Sequence, residues 1–163
     1  MAPDIDETPL PRELPRVHAL RIAEAKARAV AALTEGAFVL AADTVVGCGR
    51  RILPKAETRE QAVRCLDLLS GRRHRVYSGV CVVAPGGRSA SRVVTTMVRF
   101  KRLSAEEAEG YLDSGEWRGK AGGYAIQGMA GALIPAINGS YSNVVGLPLT
   151  ETLALLTGLG WRR

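Results

Sequence analysis

A single carboxylate, Asp43, interrupts the apolar run AFVLAADTVVGCG from Ala37 to Gly49. A charge in such a run costs on the order of several kcal/mol unless it is paired or bound to metal. Two readings compete: a strand-end aspartate that caps the following turn, and a general base or metal ligand at a cleft. The acidic stretch PDIDE, with Asp4, Asp6 and Glu7, offers further oxygen ligands, although a solvated face explains the same residues. The lysines Lys26, Lys55 and Lys120 are poorly explained by their local patterns. Lys26 flanks an apolar helical stripe, Lys55 follows Pro54, and Lys120 precedes a double glycine. An ammonium group is a good point charge for phosphate oxygens, and glycine-rich turns add backbone N–H donors. Taken singly, each reads as an ordinary solvated surface lysine ahead of a phosphate ligand.

Lys120 also opens the stretch KAGGYAIQG and is the only charged residue from Gly119 to Leu149. Seven of the 18 glycines lie between Gly119 and Gly146. Such density means either a set of tight turns or a backbone shaped to approach a small ligand closely. Other chemistries find no support. No GxxxxGK[ST] loop is present, no GxGxxG follows the first strand, and Ser78, Ser140 and Ser142 have no histidine partner set. Cys48, Cys65 and Cys81 form no CxxC pair and read as reduced small hydrophobes. His74, inside the basic knot GRRHR, suits a neutral structural imidazole.

The whole chain of 163 residues is long enough for one domain with its own core, residues 1–163. Its formal charge of +6 points to an anionic partner. The basic residues are dispersed and aromatic residues make up only 5%, which disfavours a nucleic-acid footprint and leaves a phosphorylated small molecule. No apolar run approaches the roughly 20 residues of a membrane span, and the N-terminus lacks a signal-peptide pattern, so the cytoplasm is the expected compartment.

The elements that must position these groups follow from periodicity. The first 15 residues, rich in proline, are expected to be extended. Residues Arg16 to Leu33 read as a helix with Val17, Leu20, Ala23, Ala27, Val30 and Ala31 on its apolar face. The run containing Asp43 reads as a buried strand. Thr58 and Gln61 form a capping box for a second helix that Gly71 stops. RVYSGVCVVA and SRVVTTMVRFKRL read as strands of a hairpin joined by PGGRSA. Ser104 and Glu107 cap a third helix ending at Gly115, ALIPAI reads as a short strand, and TETLALLTGLG as a final amphipathic helix. The predicted class is α/β, a mixed sheet with flanking helices.

Taken together, AADTVV (Ala41–Val46), LSGRRHRVYSGV (Leu69–Val80), KAGGYAIQG and GSYSNVVGLPL resemble, in order and spacing, the Maf family of nucleoside triphosphate pyrophosphatases. DIDET followed by EAKARAV extends the resemblance over essentially the whole chain. The resemblance implies a two-lobed fold with a central cleft, similar to the inosine triphosphatase type. It implies hydrolysis of a nucleoside triphosphate to the monophosphate and pyrophosphate with Mg²⁺ or Mn²⁺. It assigns Asp43 as proton acceptor, Lys26, Lys55 and Lys120 as phosphate-facing lysines, and Glu7 with Asp43 as metal ligands. Thr44 and Gln127 match the branch that prefers dTTP and UTP. Gly122 and Gly123 would let the backbone approach the ligand. Family members are often dimeric, so a homodimer is among the expected assemblies. The family's usual opening strand and SxSPRR turn have no counterpart, so the first strand of the fold is expected to be missing. The alternative is therefore a truncated, catalytically impaired homologue that binds nucleotide or nucleic acid.

Overall fold

The computed structural model describes residues 2–162. The proline-rich start is extended up to helix α1 (Pro15–Ala31), where Pro15 occupies the first turn, the one place a helix tolerates it. Strand β1 (Val39–Cys48) turns into the short β2 (Arg51–Leu53). Helix α2 (Arg59–Leu69) begins at the capping box of Thr58 and Gln61. The hairpin strands are β3 (Arg73–Val83) and β4 (Ser89–Arg99). Helix α3 (Ala105–Ser114) is capped by Ser104 and Glu107 and stopped by Gly115 in the left-handed conformation.

Two segments depart from expectation. ALIPAI is divided between a 3₁₀ turn (Met129–Leu133) and the short β5 (Ala136–Asn138), because Pro135 breaks the apolar run before a strand can pair. The short helix α4 (Tyr141–Val145) is too brief for any periodicity to show; it is created by Ser140, whose hydroxyl accepts from the Asn143 N–H. Helix α5 (Leu149–Gly158) closes the chain, with Thr152 as its buried residue and Leu149 and Leu153 exposed.

The sheet runs β2-β1-β3-β4-β5, and every named pairing is antiparallel, a narrower arrangement than the mixed sheet expected. Alternation along β1 and β3 divides the structure into two cores. On one face, α1 covers Val39, Cys81 and Val83 with the small residues Ala23 and Ala27. On the other, Val46, Val76 and Val98 meet α2, α3 and the segment Trp117–Leu133 in a larger core. The buried face of α1 is His18, Ala19, Ile22, Ala23 and Ala27, while Val17 is exposed. The helix is rotated relative to the expected stripe: Ala19 sits at its closest approach to the sheet and Ala23 and Ala27 pack on β1 and β3, while Ile22 is fully buried as well.

Gly79 sets that closeness. A Cβ there would lie 2.3 Å from the Ala19 carbonyl oxygen and 2.6 Å from its carbon, contacts that backbone cannot relieve by a rotamer change. Gly79 pairs directly with Asp43, so the same approach brings α1 over the carboxylate. Gly79→Ala is expected to destabilise the protein by about 3 kcal/mol. Urea unfolding followed by circular dichroism measures this; wild-type stability in the variant would show that α1 rides freely above the sheet.

Candidate functional site

Asp43 lies in the middle of β1, not at its end, so the capping reading is overturned. Its side chain is 9% exposed and points to the α1 face, where the Lys26 ammonium donates to Oδ1 at 2.9 Å. Lys26 Nζ also lies 2.7 Å from Glu7 Oε1, and Glu7 Oε2 accepts from Lys55 Nζ at 3.0 Å. Four charges of alternating sign thus run from the sheet to the cleft edge. Burial raises the Asp43 pKa above the ordinary aspartate value, and Lys26 only partly opposes it. Burial works against the Lys26 ammonium, yet Glu7 and Asp43 together raise its pKa. The hydrogen bond from Lys26 holds Glu7 below the usual carboxylate range.

Glu7 reaches this chain because the extended N-terminal segment is clamped to α1. Glu13 accepts from Arg21 at 2.6 and 2.9 Å and lies 2.9 Å from His18 Nδ1. Arg21 also donates to the Thr8 carbonyl at 3.1 Å, next to Glu7. Arg21 depresses the Glu13 pKa to about 2. The clamp therefore contributes stability that is present above the unfolded glutamate value and is lost as pH falls toward 2. Sequence reasoning passed over Glu13 and Arg21. Their eight-residue separation has no helical meaning, since Glu13 precedes the helix.

The opposite wall is formed where residues 54–56 meet 118–122. Ala56 N–H donates to the Lys120 carbonyl, Gly119 N–H to Ala56, and Gly122 N–H to Pro54. The pairing holds Lys55 opposite Ala121 and so gathers Lys55 and Lys120 at one rim. Lys120 and Gln127 are both exposed. Gly122 and Gly123 do not line the cleft, contrary to expectation. Both have left-handed φ values, and a Cβ on Gly122 would meet the Val46 side chain at 2.9 Å. Their glycines serve a turn packed on the core. His74 is buried, bonded to the Tyr124 hydroxyl at 2.6 Å, and burial lowers its pKa to about 4, which keeps it neutral as expected.

Thr44, next to Asp43, points to the other face of the sheet and contacts Ser78 and the Gly146 carbonyl. Asp43, Thr44, Lys55, Lys120 and Gln127 line a single cavity of about 230 Å³. Adjoining cavities of about 270 and 540 Å³ meet it at Asp43 and Ala42, and both include Glu7. Lys26 lies on the larger of the two. The seven residues to which the resemblance gives roles therefore line one trough of three adjoining cavities, whereas Asp4 and Asp6 line none of the three. Its open side follows from the sheet: β2 pairs only with Val46–Cys48, so among the described residues Val39 to Val45 has a neighbour strand on one side alone. No group of three or more His, Cys, Asp or Glu side chains suited to a metal occurs among the described residues. Glu7 and Asp43 do converge on one cation, the Lys26 ammonium. Two carboxylates suit Mg²⁺ only when phosphates and water complete its shell.

A family model described as Maf-like protein matches residues 1–159. The dTTP/UTP pyrophosphatase of Caulobacter vibrioides is 64% identical over 159 residues, 98% of this chain and 82% of that protein. That of Paramagnetospirillum magneticum is 64% identical over 157 residues, 96% of this chain and 83% of the relative. That of Mesorhizobium japonicum is 61% identical over 165 residues, 98% of this chain and 79% of the relative. No helix among the described residues is long and apolar enough to cross a membrane.

Lys26→Met would leave Glu7 and Asp43 facing one another without the ammonium between them. The Asp43 carboxyl is expected to titrate above the ordinary aspartate range in the wild type and higher still in this variant. Carbon-detected NMR titration reads both midpoints; an unmoved Asp43 midpoint in the variant would mean that Lys26 does not govern its charge.

Proposed function

We propose, from the premise that this chain belongs to the Maf-like family, that it is a nucleoside triphosphate pyrophosphatase acting on dTTP and UTP. The observation that carries the reading is the convergence of a buried carboxylate, three lysines and an exposed glutamine on one trough. The relatives named above, which match nearly the whole chain, are dTTP/UTP pyrophosphatases.

In this reading the triphosphate lies along the lysine rim and the base lies toward Thr44 and Gln127. Lys55 and Lys120 bind phosphate oxygens, and Lys26 keeps Asp43 ionised despite its burial. Asp43 orients a water on the α-phosphorus and takes its proton as the oxygen–phosphorus bond forms. The bond from the α-phosphorus to the oxygen bridging the β-phosphate breaks, and pyrophosphate leaves with that oxygen. Phosphoryl chemistry of this kind depends on positioning and neutralised charge, which lysines supply without covalent participation. Gln127 carries both a donor and an acceptor, so it can pair with the edge of a pyrimidine. The donor set also fits a divalent cation in a limited sense: Glu7 and Asp43 would hold Mg²⁺ or Mn²⁺, with the substrate's phosphates completing the shell. When bound, the cation neutralises phosphate charge.

The sign of the pH dependence follows from Asp43. A base must be ionised, and burial raises its pKa, so activity should fall as pH drops through a value above the ordinary aspartate range. Incubation with a panel of nucleoside triphosphates and Mg²⁺ or Mn²⁺, with monophosphate and pyrophosphate measured, tests the function directly. The expected result is turnover of dTTP and UTP ahead of purine triphosphates. Asp43→Asn is expected to lose about 10²- to 10⁴-fold in kcat. Full activity in that variant would remove Asp43 as the base, and nucleotide binding without turnover by the wild type would favour the impaired homologue.

A further inference from the structure

Ser78 has no assigned part in the chemistry, yet it is fully buried on the face of β3 that carries the base end of the cleft. It is paired directly with Thr44, and their hydroxyl oxygens are 2.9 Å apart. Thr44 Oγ1 donates to the Gly146 carbonyl at 3.2 Å, and Ser78 Oγ donates to the Asn143 carbonyl at 3.2 Å. Two hydroxyl protons therefore face three contacts. The Asn143 carbonyl already accepts the Gly146 N–H at 3.1 Å. The two hydroxyls thus hold each other at 2.9 Å and each reaches one carbonyl of the turn, so together they tie β1 and β3 to the turn at Asn143 and Gly146.

The turn that these hydroxyls reach is held to the sheet by further polar bonds. Asn143, fully buried, donates from Nδ2 toward the Val76 and Val94 carbonyls at 3.2 Å and toward Thr96 Oγ1 at 3.0 Å. Val144, Val145 and Gly146 form one side of the cavity that Gln127 also lines. A shift of the Gly146 carbonyl would therefore change the shape of a cavity that Gln127 shares. The Asp43 and Lys26 side chains lie on the other face of the sheet, bonded to each other and not to this pair of hydroxyls.

We propose that Ser78 is a positioning residue for base selection: it holds the Thr44 hydroxyl on the Gly146 carbonyl and so sets the part of the cavity wall that Thr44 and Gly146 share with Gln127. The inference rests on the pyrophosphatase reading for its substrate, a pyrimidine triphosphate. Without the Ser78 hydroxyl, Thr44 Oγ1 keeps only one of its two partners and is no longer held from the β3 side, and the Asn143 carbonyl loses a donor, so the wall loses its fixed geometry.

Kinetics with dTTP and GTP test this on Ser78→Ala, Thr44→Ser, Thr44→Val and the double variant Ser78→Ala/Thr44→Val, each checked for folding by thermal melt. Ser78→Ala should raise KM for dTTP about five- to tenfold, the scale of one hydrogen bond, and narrow the preference over GTP equally. Its kcat and the acid limb of its pH profile should stay at wild-type values. Thr44→Ser, which keeps the hydroxyl, should keep the preference. Thr44→Val should lose it, and the double variant should lose no more than Thr44→Val. A lower melting temperature in Ser78→Ala with unchanged KM and preference would make the role merely structural and overturn the proposal, as would additive losses in the double variant. Calorimetric binding of dTTP and GTP in the Asp43→Asn background separates the two readings. Absent turnover in the wild type would sink the pyrophosphatase, while an unaltered binding ratio on adding Ser78→Ala would sink the role of Ser78.

Discussion

The placement of one ammonium group, Lys26, between two carboxylates is the constraint on which the site depends. Asp43 is buried in a strand and would shed its charge without a partner. Glu7 belongs to an extended segment with no regular structure to hold it. Lys26 answers both needs and is itself kept charged by them. The helix that carries it can approach closely enough only because Gly79 leaves room for the Ala19 carbonyl. A side chain in the sheet, a helix packing distance and the path of the N-terminal segment are thus parts of one electrostatic arrangement.

The two faces of β1 divide the work between neighbouring residues. Asp43 projects toward α1 and into a field of charges. Thr44 projects toward α4 and into a network of neutral hydroxyls, amides and carbonyls. The charged face suits phosphate and proton chemistry, which depends on field strength. The neutral face suits the recognition of a base, where geometry rather than charge discriminates. Because strand residues alternate, consecutive positions can serve both ends of one ligand from opposite faces of the sheet while still lining one cavity. The exposed lysines at the rim, Lys55 and Lys120, come from segments whose backbone pairing, not their own packing, keeps them near the trough.

Much of this was legible in the chain. The capping boxes at Thr58 and Ser104, the hairpin and the strand around Asp43 are local patterns, and local patterns need only neighbours a few residues away. The oddity of a lone carboxylate among apolar residues likewise needed no structure to be noticed. The sheet around it was less legible: β2 is three residues long and α4 five, and neither length carries a period. The buried face of α1 differs from the expected stripe because several neighbouring stripes of this helix are apolar, and the close contact of Ala19 with Gly79 selects the one that carries Ile22 and leaves Val17 exposed. The double glycine after Lys120 was read as a ligand contact, and it is a turn that Val46 packs against.

By itself, then, the chain determined the residue types of the site and the order of its blocks, since these are properties of composition and spacing. Only the tertiary structure decided which cation meets which carboxylate. Lys26 and Asp43 are 17 positions apart and Lys55 and Glu7 are 48 apart, distances over which no sequence period carries information. Glu13 and Arg21, which hold the N-terminal segment in reach, and Ser78, which backs Thr44 across the sheet, acquire their roles from contacts made after the chain is folded. Charge and hydrogen-bond partners are chosen by proximity in space, and proximity is what folding supplies.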